Sequence, residues 1–230
     1  YHIMEYVDGA TLTRVLDSTK LTSAACARIG ALIADALAAA HHASVIHRDV
    51  KPSNLIVTTS PPGVRVLDFG VSKIQAWGDQ SELTSTQDTL GTPEYMAPEQ
   101  LLKSSKVTGA ADVYSLGVVM YRAISGERPW PSVFVAAHAE REPTDVRTLA
   151  PDVNPALAAV IARCIAKDPT RRPTAARLAS ELNAIADSLD APSADALAGS
   201  LLGEGATLAE RGAAKKDETI SERPVARPAR

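Results

Sequence analysis

His47-Arg48-Asp49-Val50-Lys51-Pro52-Ser53-Asn54 decides the reading of this chain, together with Asp68-Phe69-Gly70, which begins fourteen residues after Asn54. The two segments place a carboxylate, a cation and two hard oxygen donors at set intervals. Transfer of a phosphoryl group from a nucleotide needs that combination, because its catalysis is mostly positioning and charge neutralisation. Five specified residues at about one in twenty each recur by chance on the order of once per three million positions. A turned surface aspartate beside an unrelated Asp-Phe-Gly is the bland alternative, and two segments in this order leave it little room.

The flanking sequence is that of a folded domain. The chain has 230 residues, 45% hydrophobic and 22% charged, enough for one good core. A net charge of −3 gives no reason to expect nucleic acid or a membrane surface as the main partner. Two cysteines, Cys26 and Cys164, both inside predicted helices, argue against a disulfide framework and fit a reducing, cytoplasmic setting. The most apolar run, Ile29 to Ala40, carries Asp35 and is short for a membrane span. His41, His42 and His138 lack the Cys, Asp or Glu company of a zinc site.

Periodicity gives the elements. Tyr1 to Val7 reads as an inner strand, so the chain is expected to begin inside a domain. Thr11 can cap a short helix to about Leu16, and Thr22 or Ser23 a longer one through Ala40. Val45-Ile46, Leu55-Val57 and Val64-Leu67 read as short strands, with Pro61-Pro62-Gly63 turning between the last two. Ile74 to Leu90 is a polar loop, and Ala110 to Ser125 is apolar around its whole circumference, as a core helix is, with Gly126 as its stop. Helices are expected near Val133–Ala139, Pro155–Ala166 and Thr174–Leu189. From Asp190 to Arg230 the composition turns small, charged and proline-punctuated, and disorder is expected, with at most a transient helix over Leu197–Leu208.

The motifs resemble those of the protein kinase family, specifically its Ser/Thr branch of bacterial type, over about Tyr1 to Leu189. The resemblance implies an α+β fold: the mostly helical C-terminal lobe of a kinase with short β-hairpins, as the catalytic domain over 1–189 and a disordered linker or tail over 190–230. The family's glycine-rich loop, ATP-holding lysine and partner glutamate are expected upstream of Tyr1, so residues 1–230 alone are expected to be inert. The implied activity is transfer of the ATP γ-phosphoryl group, with Mg²⁺, to Ser/Thr hydroxyls of protein substrates. A non-catalytic, kinase-like scaffold is the alternative, and the presence of Asp49, Asn54 and Asp68 weighs against it.

The resemblance assigns roles residue by residue. Asp49 is the catalytic base, Lys51 the cation at the transferring phosphate, and Asn54 and Asp68 are the Mg²⁺ ligands. Thr92, in Gly91-Thr92-Pro93-Glu94-Tyr95-Met96-Ala97-Pro98-Glu99, resembles the threonine that bonds the Asp49–Lys51 pair. Met4-Glu5-Tyr6-Val7 resembles the hinge that receives adenine, with Glu5 and Val7 as its backbone partners, Ile56 as an apolar floor and Thr11 near the ribose. An ordinary buried strand remains an alternative for that segment. Arg48 is a regulatory arginine, for which Ser85, Thr86 and Thr89 are candidate phosphate carriers by autophosphorylation. His47 packs under Phe69, Gly70 is a hinge, Glu99 pairs with Arg172, and Asp112 bonds the catalytic-loop backbone. Glu94, Glu140 and Glu142 are candidate readers of basic residues in a substrate. A membrane tether, if present, is expected outside these residues.

Overall fold

The computed structural model describes residues 5–69, 93–102, 107–130 and 141–203. Its strands are Ala10–Thr11 (β1), Leu55–Val57 (β2) and Val64–Val66 (β3). Its α-helices are Leu12–Ser18 (α1), Ser23–His42 (α2), Pro98–Leu101 (α3), Ala110–Ser125 (α4), Val146–Leu149 (α5), Pro155–Cys164 (α6), Ala175–Ser188 (α7) and 194–203 (α8). Single 3-10 turns occupy Pro52–Asn54, Pro93–Tyr95 and Pro169–Arg171. The architecture is α+β and mostly helical, with one antiparallel sheet in the order β1-β2-β3.

Helix α4 is the axis of the core. All its residues except Ala110 and Arg122 are buried, which suits a segment apolar on every side. It stops at Gly126, whose φ of 79° is a left-handed conformation that glycine adopts without a side-chain clash. Helix α2 lies against α4 and α7, and α6 packs on α4. Each of α1, α2, α6 and α7 begins at a side-chain cap, Thr11, Thr22, Asn154 and Thr174 respectively. Such a cap satisfies an otherwise orphaned amide and contributes about 1 kcal/mol.

Several expectations need correction. Glu5–Val7 is irregular rather than a strand, with Tyr6 87% exposed, because no described strand pairs with it. Val45-Ile46 is also irregular: the Val45 amide bonds back to Ala40 O at 2.9 Å and closes the end of α2. Helix α6 ends at Cys164, two residues early. At 20 residues α2 meets the length and composition of a membrane span, against the expectation that no run would, but half of that window is buried inside this domain. The expected helix over Val133–Ala139 and the loop over Ile74–Leu90 lie outside the described residues.

The largest correction concerns the tail. Disorder was expected from Asp190, yet 194–203 is helical and buries Leu197, Ala198 and Leu201. Those three residues fall on one face at helical spacing, and Ser193 starts the helix by accepting from Ala196 N at 3.3 Å. Averaging composition over forty-odd residues hides a ten-residue amphipathic stripe, and that stripe has a surface to bury against.

Candidate active site

The segment His47–Asn54 leaves the end of α2 and is held from below by α4. Asp112, 1% exposed, accepts from His47 N at 2.9 Å with Oδ2 and from Arg48 N at 2.7 Å with Oδ1. His41 Nε2 lies 2.8 Å from the same Oδ2. A buried carboxylate is costly unless its lone pairs are filled, and here three groups fill them. The two amides fix the backbone just before Asp49, where Arg48 has a φ of 65°. A non-glycine residue there stores about 1–3 kcal/mol and persists only where its surroundings over-determine it. Gln100 adds to that constraint by donating from Nε2 to Arg48 O at 3.0 Å.

Past this clamp the chemistry-bearing side chains meet. Lys51 Nζ lies 3.0 Å from Asp49 Oδ2. Asn54 Nδ2 donates to Asp49 O at 2.9 Å and more weakly to Asp49 Oδ2 at 3.3 Å. The nitrogen end of the Asn54 amide is therefore taken up, which leaves its oxygen as the end that can meet a cation. The hairpin β2–β3 brings the second segment alongside. Leu55 pairs with Val66, and Leu67 N donates to Asn54 O at 2.8 Å. Asp68 comes next in the chain, exposed and with a φ of 54°.

His47 is fully buried beneath this junction. Its Nε2 lies 2.8 Å from Leu67 O, and its ring faces Phe69 at 4.7 Å between centroids. Ile56 of β2 is half-buried, and the irregular Glu5–Val7 leads into β1. Thr11 Oγ1 caps α1 by accepting from Arg14 N at 3.3 Å, which leaves its hydroxyl hydrogen to donate elsewhere.

The far wall is built by the 93–102 segment. Arg172, 7% exposed, grips Glu99 through two bonds of 2.6 and 3.0 Å. It also donates to the backbone oxygens of Ala166, Ala110 and Lys167. Ser115 donates to Tyr95 O at 2.7 Å, tying the segment to α4. Glu94 pairs with Arg128, so its carboxylate is already committed, whereas Glu142 is exposed. Gly70, Ser85, Thr86, Thr89, Thr92, His138 and Glu140 lie outside the described residues.

Three participants are not legible as such in the sequence. His41 reads as a helix end, and only the fold reveals it against Asp112. Gln100 reads as a surface residue, although its position three after Ala97 is a capping signal: its Oε1 accepts from Ala97 N at 3.0 Å. Arg128 gives no signal at all. The two cysteines are inert by environment, since burial pushes both thiols from 9.0 up to about 12. Among the described residues no group of three or more His, Cys, Asp and Glu could hold a metal. Asn54 and Asp68 form a sparser oxygen set, which suits an ion that keeps most of its waters.

The family model described as "Protein kinase domain" matches residues 1–182. The chain is 39% identical over 179 residues to the serine/threonine-protein kinase Pkn1 of Myxococcus xanthus, which covers 75% of this chain and 25% of that protein. It is 36% identical over 214 residues to the serine/threonine-protein kinase PkaA of Streptomyces coelicolor, covering 90% and 38%. To the serine/threonine-protein kinase PknB of Mycolicibacterium smegmatis it is 36% identical over 190 residues, covering 79% and 30%. It thus spans only 25% to 38% of the length of these curated relatives. With most of its length matched by the family model, and with relatives of this kind, the chain belongs to the protein kinase domain family.

Proposed function

We propose that this chain forms the catalytic-loop half of a cytoplasmic serine/threonine protein kinase, which moves the γ-phosphoryl group of ATP to Ser or Thr hydroxyls of proteins. The observation that carries the reading is the meeting of three groups at one point: Asp49 lies against Lys51 at 3.0 Å, Asn54 against Asp49 at 2.9 Å, and the β2–β3 hairpin bonds Leu67, the residue before Asp68, to Asn54. Bound Mg·ATP would supply the electrophilic phosphorus and most of the charge neutralisation.

The chain's own residues do the rest. Asp49 takes the proton of the attacking hydroxyl at its carboxylate and orients that oxygen. Lys51 sits within reach of both the base and an incoming phosphate and offsets negative charge there. The Asn54 oxygen and the Asp68 carboxylate are the donors that would hold Mg²⁺. Glu5 and Val7 offer backbone groups to the base of the nucleotide over Ile56. Arg48 supports regulation by phosphorylation, because its Nε is buried with no partner among the described residues. A phosphate at Ser85, Thr86 or Thr89 would supply that partner, and mass spectrometry of the active enzyme would find it there.

Calorimetry with Mg·ADP on the full-length protein tests this reading. Asp68→Asn should weaken binding at least tenfold in Mg²⁺, with a much smaller change when Mg²⁺ is omitted. Equal loss with and without the metal would overturn the ligand assignment. No Gly-x-Gly-x-x-Gly occurs in these residues, so 1–230 alone should transfer only traces of phosphate. Robust transfer by them alone would overturn that part.

A further inference from the structure

We propose that helix α8, which lies beyond the matched kinase domain, is a positioning element for the nucleotide site. The inference rests on the hinge reading of Glu5–Val7 given above. The family model ends at residue 182, whereas α8 occupies 194–203. Its N-terminal end meets the β2–β3 turn. Gly63 approaches Ala194 so closely that an added Cβ would lie 2.7 Å from the Ala194 Cβ. Its C-terminal end faces the exit of the hinge across a small cavity. Leu201 and Leu202 share a small cavity of about 240 Å³ with Asp8, Gly9, Ala10, Arg14, Val15 and Ser18.

The hinge needs such support. Glu5, Tyr6, Asp8 and Gly9 are exposed, Val7 is half-buried, and none of residues 5–8 has regular structure. On one side the segment is pinned to β2. Ala10 pairs with Val57, and a Cβ on Gly9 would stand 2.2 Å from Val57 O, so only glycine permits that approach. Leu201 and Leu202 of α8 line a cavity together with Asp8, Gly9 and Ala10, just past that segment. The buried Leu197, Ala198 and Leu201 hold the helix down, and the same helix bridges the hinge exit and the hairpin that carries Asn54 and Asp68 at its ends. One short helix thus touches the hairpin and borders the exit of the hinge, so its undocking should loosen both halves of the proposed nucleotide site. Coupling of this kind between a packed element and a binding site changes affinity by roughly 5- to 150-fold.

Two substitutions at Gly199 test this without touching a packed residue, because a Cβ there meets nothing within 4 Å. In the full-length protein, Gly199→Pro breaks α8 at its middle, and Gly199→Ala strengthens it. Hydrogen exchange of the Glu5–Ala10 amides should quicken in Gly199→Pro and slow in Gly199→Ala. The Mg·ADP Kd and the KM for ATP should rise about fivefold in the first and fall in the second, with the KM for a Ser/Thr peptide unchanged. Leu201→Asp should reproduce Gly199→Pro, and Leu201→Met should behave as wild type. Unchanged exchange at Glu5–Ala10 in Gly199→Pro would overturn the inference, whether or not the protein binds nucleotide. Absence of nucleotide binding by the wild type, with exchange responding as stated, would instead remove the nucleotide-site reading and leave the coupling of α8 to residues 5–10 in place.

Discussion

Asp49 owes its position to backbone amides one and two residues before it, and those amides owe theirs to Asp112. Replacing Asp112 by Asn keeps the shape but leaves one acceptor where there were two, with an NH₂ aimed at amides or at His41. A buried donor left unpaired costs about 1–3 kcal/mol. Asp112→Asn should therefore lower the urea-unfolding free energy by about that amount and depress kcat, with little effect on the KM for ATP. An unchanged kcat would mean that the clamp does not reach the base. Asp112 was legible because a single carboxylate in an otherwise apolar helix needs a purpose. His41 was not, because nothing local distinguishes a helix-ending histidine from one that a distant aspartate reaches. That Asp49, Lys51 and Asn54 come together follows from their spacing, while the roles of these residues and of Asp68 are what the resemblance implies. What the sequence lacked was the pairing of Asn54 with the Asp49 carbonyl, which selects the oxygen end of that amide.

At the scale of elements, the Glu99–Arg172 pair joins α3 to the turn before α7 and to the start of α4. Arg172 spends Nε once and each terminal nitrogen twice, so all five of its donors are engaged. Breaking a buried pair of this kind costs about 3–5 kcal/mol. Arg172→Ala should show that loss in chemical denaturation. Arg172→Lys should recover little of it, because an ammonium has three donors and no fork. Full recovery by lysine would show that charge alone holds the joint. Helices α2, α4, α6 and α7 were readable from spacing and caps, since long amphipathic or all-apolar segments carry their own periodicity. The hinge and α8 were not. Three apolar residues do not reveal whether a ladder partner exists, and a ten-residue helix in a polar stretch depends on the surface that receives it.

Over the whole molecule, the core makes a prediction about alkaline pH. Burial raises the Cys26 and Cys164 thiols from 9.0 to about 12, while the unfolded chain ionises them near 9. A folded pKa above the unfolded one gives stability that is full below about pH 9 and falls as pH rises toward 12. Global stability should thus decline between pH 9 and 12, and replacing either cysteine by alanine should flatten that decline. Neither thiol should react with iodoacetamide at pH 8 until the protein is denatured. Prompt labelling of the native protein would show that the α2–α4–α6 packing opens far more readily than its burial implies.

The central claim is that Asp49 is the catalytic base of a serine/threonine kinase. The most direct measurement is the rate of γ-phosphoryl transfer from Mg·ATP to a Ser/Thr peptide by the full-length protein and by its Asp49→Asn variant. A positioned base contributes roughly 10²- to 10⁴-fold. In Asp49→Asn kcat should fall by that much, with the Kd for Mg·ADP and the unfolding midpoint close to wild type. Transfer at the wild-type rate by Asp49→Asn would contradict it.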